Sequence, residues 1–392
     1  MPSLGPRTLG APVSQPQPDP NSNPCTPAVN GASPAKPQPS SPFASGQRVR
    51  LRRGDVNYLL TQPADPRRVS RPLIVCVHGL NGAISSFDGI RPLLAPEFRT
   101  LSFDLYGFGL SASPAGRLDL EVYVDQVASL LHALRVPPTE KVFLLGFSMG
   151  GVIAVEFAIR FPERVAKLLL VAPGGLLQRS KTPCRPLLFG CLRTRLGGLL
   201  LATATGLACC CGCCAKRALT GDKLADRFEL DVREPEKYKQ AARQNGERFL
   251  WNFRRSVNSY LRVLRRMPLW CEDFQESYAK LAEGSTPTLF IWGDSDCTVS
   301  ATQERSREGG QEVKRSRPFS EAEHEVRSLF APRGVSCCML HESGHGLLLE
   351  DATAVSSIAT QWFQDSRDPN WIAFLAHWRL TLAERPSTVG AV

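Results

Sequence analysis

The sequence predicts an α/β protein, with a doubly wound, mostly parallel eight-stranded sheet and a helical cap inserted after the sixth strand. Three observations predict it. Continuous apolar runs of strand length, such as "PLIVCVHG" at 72–79 and "VAKLLLVAP" at 165–173, recur with helical patterns between them, the rhythm of a parallel sheet built by right-handed crossovers. One run, "KVFLLG" at 141–146, leads through Phe147 directly into the helical stretch "SMGGVIAVEFAIRFP" at 148–162. The rhythm then stops between residues 175 and about 270 and resumes with "PTLFIWGDSD" at 287–296, as an inserted cap requires.

Taken in order, residues 1–46 hold 12 of the chain's 31 prolines, one acid and almost no large apolar side chains. Such a segment buries too little surface to offset its chain entropy, so a disordered tail is expected. Its low acid content also suits a transit peptide, but arginine is sparse before Arg48. The folded core is expected over 47–174 and 271–392, with the cap at 175–270. "QRVRLRRGDVNYLL" alternates as two antiparallel strands around Gly54 and Asp55 should. "RTLSFDLYG" at 99–107 is a further strand, buried like 72–79 on both faces. Leu120, Val124, Val127, Leu131 and Leu134 fall on one stripe of a helix that ends before Pro137 and Pro138. After "PTLFIWGDSD" the polar, basic residues 301–319 are expected as an exposed insertion loop. "SEAEHEVRSLF" (320–330) reads as helix, "VSCCMLHESGHG" (335–346) as strand and loop, and a closing helix begins at about Glu350.

The net charge of +10 favours anionic partners without naming them, and no nucleic-acid-binding module is recognisable. Thirteen cysteines are an odd number with no framework spacing, so a reducing, intracellular setting, cytoplasmic or organellar, is expected.

The chemistry is concentrated at strand ends. "LLGFSMGG" places Gly146-Phe147-Ser148-Met149-Gly150 between a buried strand and a helix, the context of a nucleophile elbow. The sharp turn needs neighbours without side chains, which Gly146 and Gly150 supply. A serine hydroxyl needs a base, and the base needs an orienting acid. Asp294 and Asp296 end one downstream strand, and His341 and His345 follow another.

"VHGLNG" at 77–82, "DLYGFGLS" at 104–111, "GFSMGG" at 146–151, "WGDSD" at 292–296 and "SGHGLLLED" at 343–351 together make the chain resemble the α/β-hydrolase superfamily, in its serine-nucleophile, esterase- and lipase-like branch with a helical cap. The resemblance covers roughly residues 47–365 outside the cap. It implies Ser148 as nucleophile, Asp296 as acid and His345 as base, with the backbone N–H groups of Leu80 and Met149 forming the oxyanion hole. Asp294 remains the alternative acid or a helix cap. His341 and His78 read as structural, and Asp104 with Gly107 and Gly109 as a loop brace. Serine at the elbow argues against the epoxide- and halide-processing relatives, which carry Asp there. Hydrolysis of a carboxylic ester of an apolar or lipid acyl group is the implied reaction, with no metal and no other cofactor. Thioester, amide or carbon–carbon hydrolysis on the same residues is the alternative, as is a non-catalytic binding protein on this fold.

Within the cap, Leu196 to Ala215 is a run of 20 uncharged residues holding five cysteines at 209–214. A single membrane crossing there would separate Ser148 from Asp296 and His345, so a simple span is disfavoured. A buried helical hairpin, a metal site without a matching second ligand pair, and an S-acylated or membrane-dipping patch stay open. In "WNFRRSVNSYLRVLRRMPLW", Trp251, Val257, Leu261 and Leu264 share one helical side, and Arg255, Arg262 and Arg266 another. That pattern suits either a packed cap helix or peripheral contact with an anionic membrane.

Overall fold

The architecture was read from a computed structural model of the 392-residue chain. The structure describes residues 46–62, 71–176, 235–293, 296, 303–308, 311–316, 326–330, 336–340 and 343–364. The expected disordered tail, the cysteine-rich run at 196–215, Asp294 and His341 lie outside the described residues.

Eight strands form one sheet. These are β1 (Gln47–Leu51), β2 (Gly54–Thr61), β3 (Leu73–Val77), β4 (Arg99–Phe103), β5 (Val142–Phe147), β6 (Val165–Val171), β7 (Thr288–Gly293) and β10 (Ser336–Leu340). Their spatial order is β1-β2-β4-β3-β5-β6-β7-β10. The first two pairings, β1 with β2 and β2 with β4, are antiparallel, and every later one is parallel. β3 and β7 are buried at every position, which is why their sequences are continuous apolar runs and not alternating ones.

Around the sheet run α1 (Arg91–Leu94), α2 (Leu120–Ala133), α3 (Met149–Arg160), α4 (Pro235–Trp251), α5 (Phe253–Arg266), α6 (Cys271–Glu283), α7 (Leu347–Glu350) and α8 (Ala352–Gln364). α2 starts where the Asp119 side chain accepts the Val122 amide. Of its expected stripe, Val124, Val127 and Leu131 are buried. The helix ends ahead of the prolines, with Arg135 in the left-handed region at φ 57°. α3 follows β5 without a linker and packs on β5 and β6.

Three expectations are corrected. Residues 303–308 and 311–316, expected as part of a loop, form an antiparallel hairpin, β8 and β9, apart from the main sheet. Gly309-Gly310 between two short runs is a hairpin signature, which the polar composition concealed. The closing helix begins earlier, as α7 at Leu347, and restarts as α8.

The third concerns the expected amphipathic helix from Trp251. The chain breaks at Asn252 (φ −134°, ψ 58°), so Trp251 ends α4 and is exposed, while Ser259, Leu261 and Val263 form the buried side of α5. Two arginines of its expected basic side reach protein carbonyls. Arg255 donates to the Ser111 carbonyl. Arg262 donates to the carbonyls of Pro114 at 2.6 Å and Gly116 at 2.7 Å. Its guanidinium fork fits a turn of clustered carbonyls, and it ties α5 to the loop after β4.

Candidate active site

The order of the sheet reverses at β3: β4 lies on one side of it and β5 on the other. In open parallel sheets, ligands bind beyond the C-terminal strand ends at such a switch point. Here those ends carry Gly79 and Leu80 after β3 and Ser148 after β5.

Ser148 has φ 53° and ψ −122°, a conformation L-residues adopt at a cost and keep only when their surroundings enforce it. The surroundings do. The Ser148 amide donates to the Val171 carbonyl at 3.0 Å, and the Ser148 carbonyl accepts the amides of Gly151 at 2.9 Å and Gly174 at 3.0 Å. A Cβ at Gly150 would lie 2.0 Å from the Val77 carbonyl oxygen, and one at Gly146 would lie 2.7 Å from that of Gly150. The turn is therefore wedged between β3 and its own helix, with no room for a side chain on either flank.

β7 and β10 are parallel, with Gly293 opposite Leu340, so their following turns rise side by side. A Cβ at Gly293 would sit 2.0 Å from the Ser343 carbonyl oxygen; only glycine lets the two turns approach so closely. Asp296, fully buried, projects from the first turn and His345 from the second. His345 Nδ1 is 2.8 Å from Asp296 Oδ2, and its Nε2 is 3.1 Å from Ser148 Oγ. The structure thus joins Ser148, His345 and Asp296 in one hydrogen-bonded chain. Burial of His345 would lower its pKa, but the Asp296 charge and hydrogen bond, with a further contribution from Glu350, outweigh it and the net shift is upward. The Phe147 ring lies against the imidazole, 5.2 Å between centroids.

Met149 is buried and opens α3; the first N–H groups of a helix have no carbonyl acceptor within that helix. Leu80 follows Gly79, whose position is pressed against Ser148. These are the two residues expected to supply oxyanion donors; one adjoins Ser148 in the chain and the other follows Gly79.

His78 and Asp104 occupy the floor beneath that loop. The His78 ring is fully buried, donates from Nδ1 to the Gly79 carbonyl at 2.7 Å and accepts the Leu105 amide at Nε2 at 2.9 Å. Burial pushes it down to about 4, against the opposing Asp104 charge, so it is neutral near pH 7. Asp104 accepts from the Ile84 and Leu110 amides and from Asn57 Nδ2, all at 2.8 Å. A carboxylate so occupied braces the loops after β3 and β4.

Glu350 was not singled out from sequence as a functional residue. Buried, it accepts the amides of Gly344 and Gly346, both at 2.7 Å. A carboxylate five residues after a glycine-flanked histidine was the available signal. The described thiols Cys76, Cys271, Cys337 and Cys338 are all buried; burial pushes the Cys76 thiol up to about 12, which leaves it un-ionised and inert. Among the described residues, no group of His, Cys, Asp and Glu is placed to hold a metal ion, and no helix is long and apolar enough to cross a membrane.

Known proteins resemble this chain at the level of fold and family. An uncharacterised protein of Mycobacterium bovis is 34% identical over 107 residues, covering 27% of this chain and 30% of the relative. The (lyso)-N-acylphosphatidylethanolamine lipase of Homo sapiens is 32% identical over 128 residues, 32% of this chain and 37% of that protein. The chain thus spans about a third of the length of these relatives. An α/β hydrolase enzyme from a Medee basin deep-sea metagenome library superposes with a TM-score of 0.58 at 15% identity, over 82% of this chain and 98% of the other, which shows a shared fold. The family model described as serine aminopeptidase, S33, matches residues 68–328. That match takes in more than half of the chain, and the protein belongs to this α/β-hydrolase family.

Proposed function

We propose that the protein is a serine hydrolase that cleaves a carboxylic ester of an apolar or lipid acyl group, with Ser148 as nucleophile, His345 as base and Asp296 as its orienting acid. The observation that carries the reading is the continuous chain from Ser148 Oγ through both imidazole nitrogens to a buried carboxylate, set on a strained elbow. His345 Nε2 takes the hydroxyl proton as Oγ attacks the ester carbonyl, while Nδ1–H donates to Asp296, which steadies the imidazolium. The backbone N–H groups of Leu80 and Met149 receive the oxyanion. Collapse expels the alcohol, protonated by His345, and leaves an acyl-Ser148 ester. Water, activated by the same histidine, attacks that ester, releases the acid and restores the serine.

Lipid acyl groups are the favoured substrates because a lipase acting on (lyso)-N-acylphosphatidylethanolamine shares part of the sequence. Residues 175–270 act as the cap that shapes the acyl pocket; the anchoring of α5 on the loop after β4 supports this placement. The family's description as aminopeptidase favours amide hydrolysis on the same residues as the second reading.

A fluorophosphonate probe should label the folded wild type and leave Ser148→Ala unlabelled. A panel of esters of increasing acyl length, run beside amino-acid amides, then separates the two readings. Folded wild-type protein that takes no label would overturn both.

A further inference from the structure

We propose that Glu350 is a positioning residue for His345, clasping the backbone on both sides of the imidazole and keeping a negative charge beside it. The proposal rests on the serine-hydrolase reading and deepens it. His345 stands in a turn between β10 and α7, a tether that leaves backbone torsions on either side free to swing the ring. Both flanking residues are glycines, Gly344 and Gly346, the least restrained of neighbours. Nothing in those two residues would hold the ring 3.1 Å from Ser148 Oγ.

Glu350 supplies the restraint. Its Oε2 accepts the Gly344 amide and its Oε1 the Gly346 amide, each at 2.7 Å, so the turn closes around one carboxylate. A Cβ on Gly346 would lie 2.6 Å from Oε1; glycine there lets the carboxylate come close enough. Both contacts are charge-assisted and made in a buried setting, where they are strong and directional. Burial nevertheless raises the Glu350 pKa, the two amides and His345 working against that shift.

The second consequence is electrostatic. Among the described residues, the charged groups facing the imidazole are Asp296, from the turn after β7, and Glu350, from α7. β5 contributes the Phe147 ring. α4, which packs on α7, directs the charge of Arg248 to Asp104 and Asp88. Glu350 is therefore the second negative charge that favours the imidazolium formed when Ser148 gives up its proton.

The test follows the rate of fluorophosphonate labelling against pH in wild type, Glu350→Gln and Glu350→Asp. The amide side chain of Glu350→Gln is neutral and offers one acceptor and one donor to two amides. Its acid limb is expected at lower pH, so that labelling below the wild-type limb, relative to each plateau, rises roughly threefold, while the plateau rate falls about tenfold or more. The Glu350→Asp variant keeps the charge but is one methylene short of both amides. Its limb is expected near that of wild type, with the plateau lowered. Should Glu350→Gln lose its cooperative thermal transition, Glu350→Asp carries the test. Limb and plateau both within twofold of wild type in the folded variants would overturn the proposal. Wild type that takes no label would instead overturn the serine-hydrolase reading, so the two failures are distinguishable.

Discussion

Gly79 and Ser148 meet across the switch point of the sheet: a Cβ at residue 79 would lie 2.8 Å from Ser148 Cβ and 3.3 Å from its Oγ. The Leu80 amide, proposed as an oxyanion donor, comes next in the chain. Gly79→Ala should push that amide away from the developing charge. We expect kcat to fall by on the order of 10², the cost of one misplaced oxyanion donor, with the protein still folded. Steady-state kinetics beside a thermal melt check this; an unchanged kcat would remove Leu80 from the mechanism.

The positive φ of Ser148 makes a prediction about stability. Alanine and glycine at 148 both abolish the hydroxyl, but only glycine adopts φ 53° without strain. Ser148→Gly should therefore melt above Ser148→Ala, by the equivalent of about 1 kcal/mol. Equal melting temperatures would mean that the elbow stores no such strain.

The raised pKa of His345 has a sign that kinetics can read. As a base the imidazole must be neutral, so the acid limb of kcat/KM should lie above the ordinary histidine value. Asp296→Asn removes the charge chiefly responsible for the upward shift, and the limb should move down. The plateau should drop by roughly 10⁴, because the imidazole loses the partner that fixes its tautomer. A limb that stays in place in Asp296→Asn would show that Asp296 does not face the working base.

His78 acts in the opposite sense and on folding. Its pKa is depressed to about 4 in the folded chain and returns to the ordinary value on unfolding. The contribution to stability is therefore complete above about 6.5 and is lost as pH falls toward 4, by a few kcal/mol in order of magnitude. Melting temperatures of wild type should decline over that window more steeply than those of His78→Gln. Parallel declines would show that the ring does not titrate with folding.

What the residues disclosed follows from what burial does to sequence. β3 and β7 were legible because strands covered on both faces are apolar throughout, β4 to β6 because each carries most of such a run, and the elbow because Gly146 and Gly150 sit where only glycine fits. The hairpin β8–β9 was not, since its residues are polar and carry no core-facing alternation. Arg255 and Arg262 stayed ambiguous for a related reason. Their spacing showed that they share a helical side, but their partners are carbonyls more than 140 residues away, which periodicity cannot reveal. Glu350 lies within five residues of His345, yet its two partners are backbone amides, and the flanking glycines that admit it do not by themselves point to a carboxylate. Ser148, Asp296 and His345 come from three separate turns, and it was strand order, not local pattern, that brought them together.

That strand order also sets a timetable. β10 is the last of the described strands and lies at an edge of the sheet, and the turn after it brings His345 to a serine 197 positions earlier. The elbow can form once β3, β5 and β6 have paired, whereas the base arrives only when that edge has docked. Contacts of such long sequence separation close late. During refolding, then, helical signal should return before labelling by the fluorophosphonate does, so that reactivity acts as a clock for the final docking step.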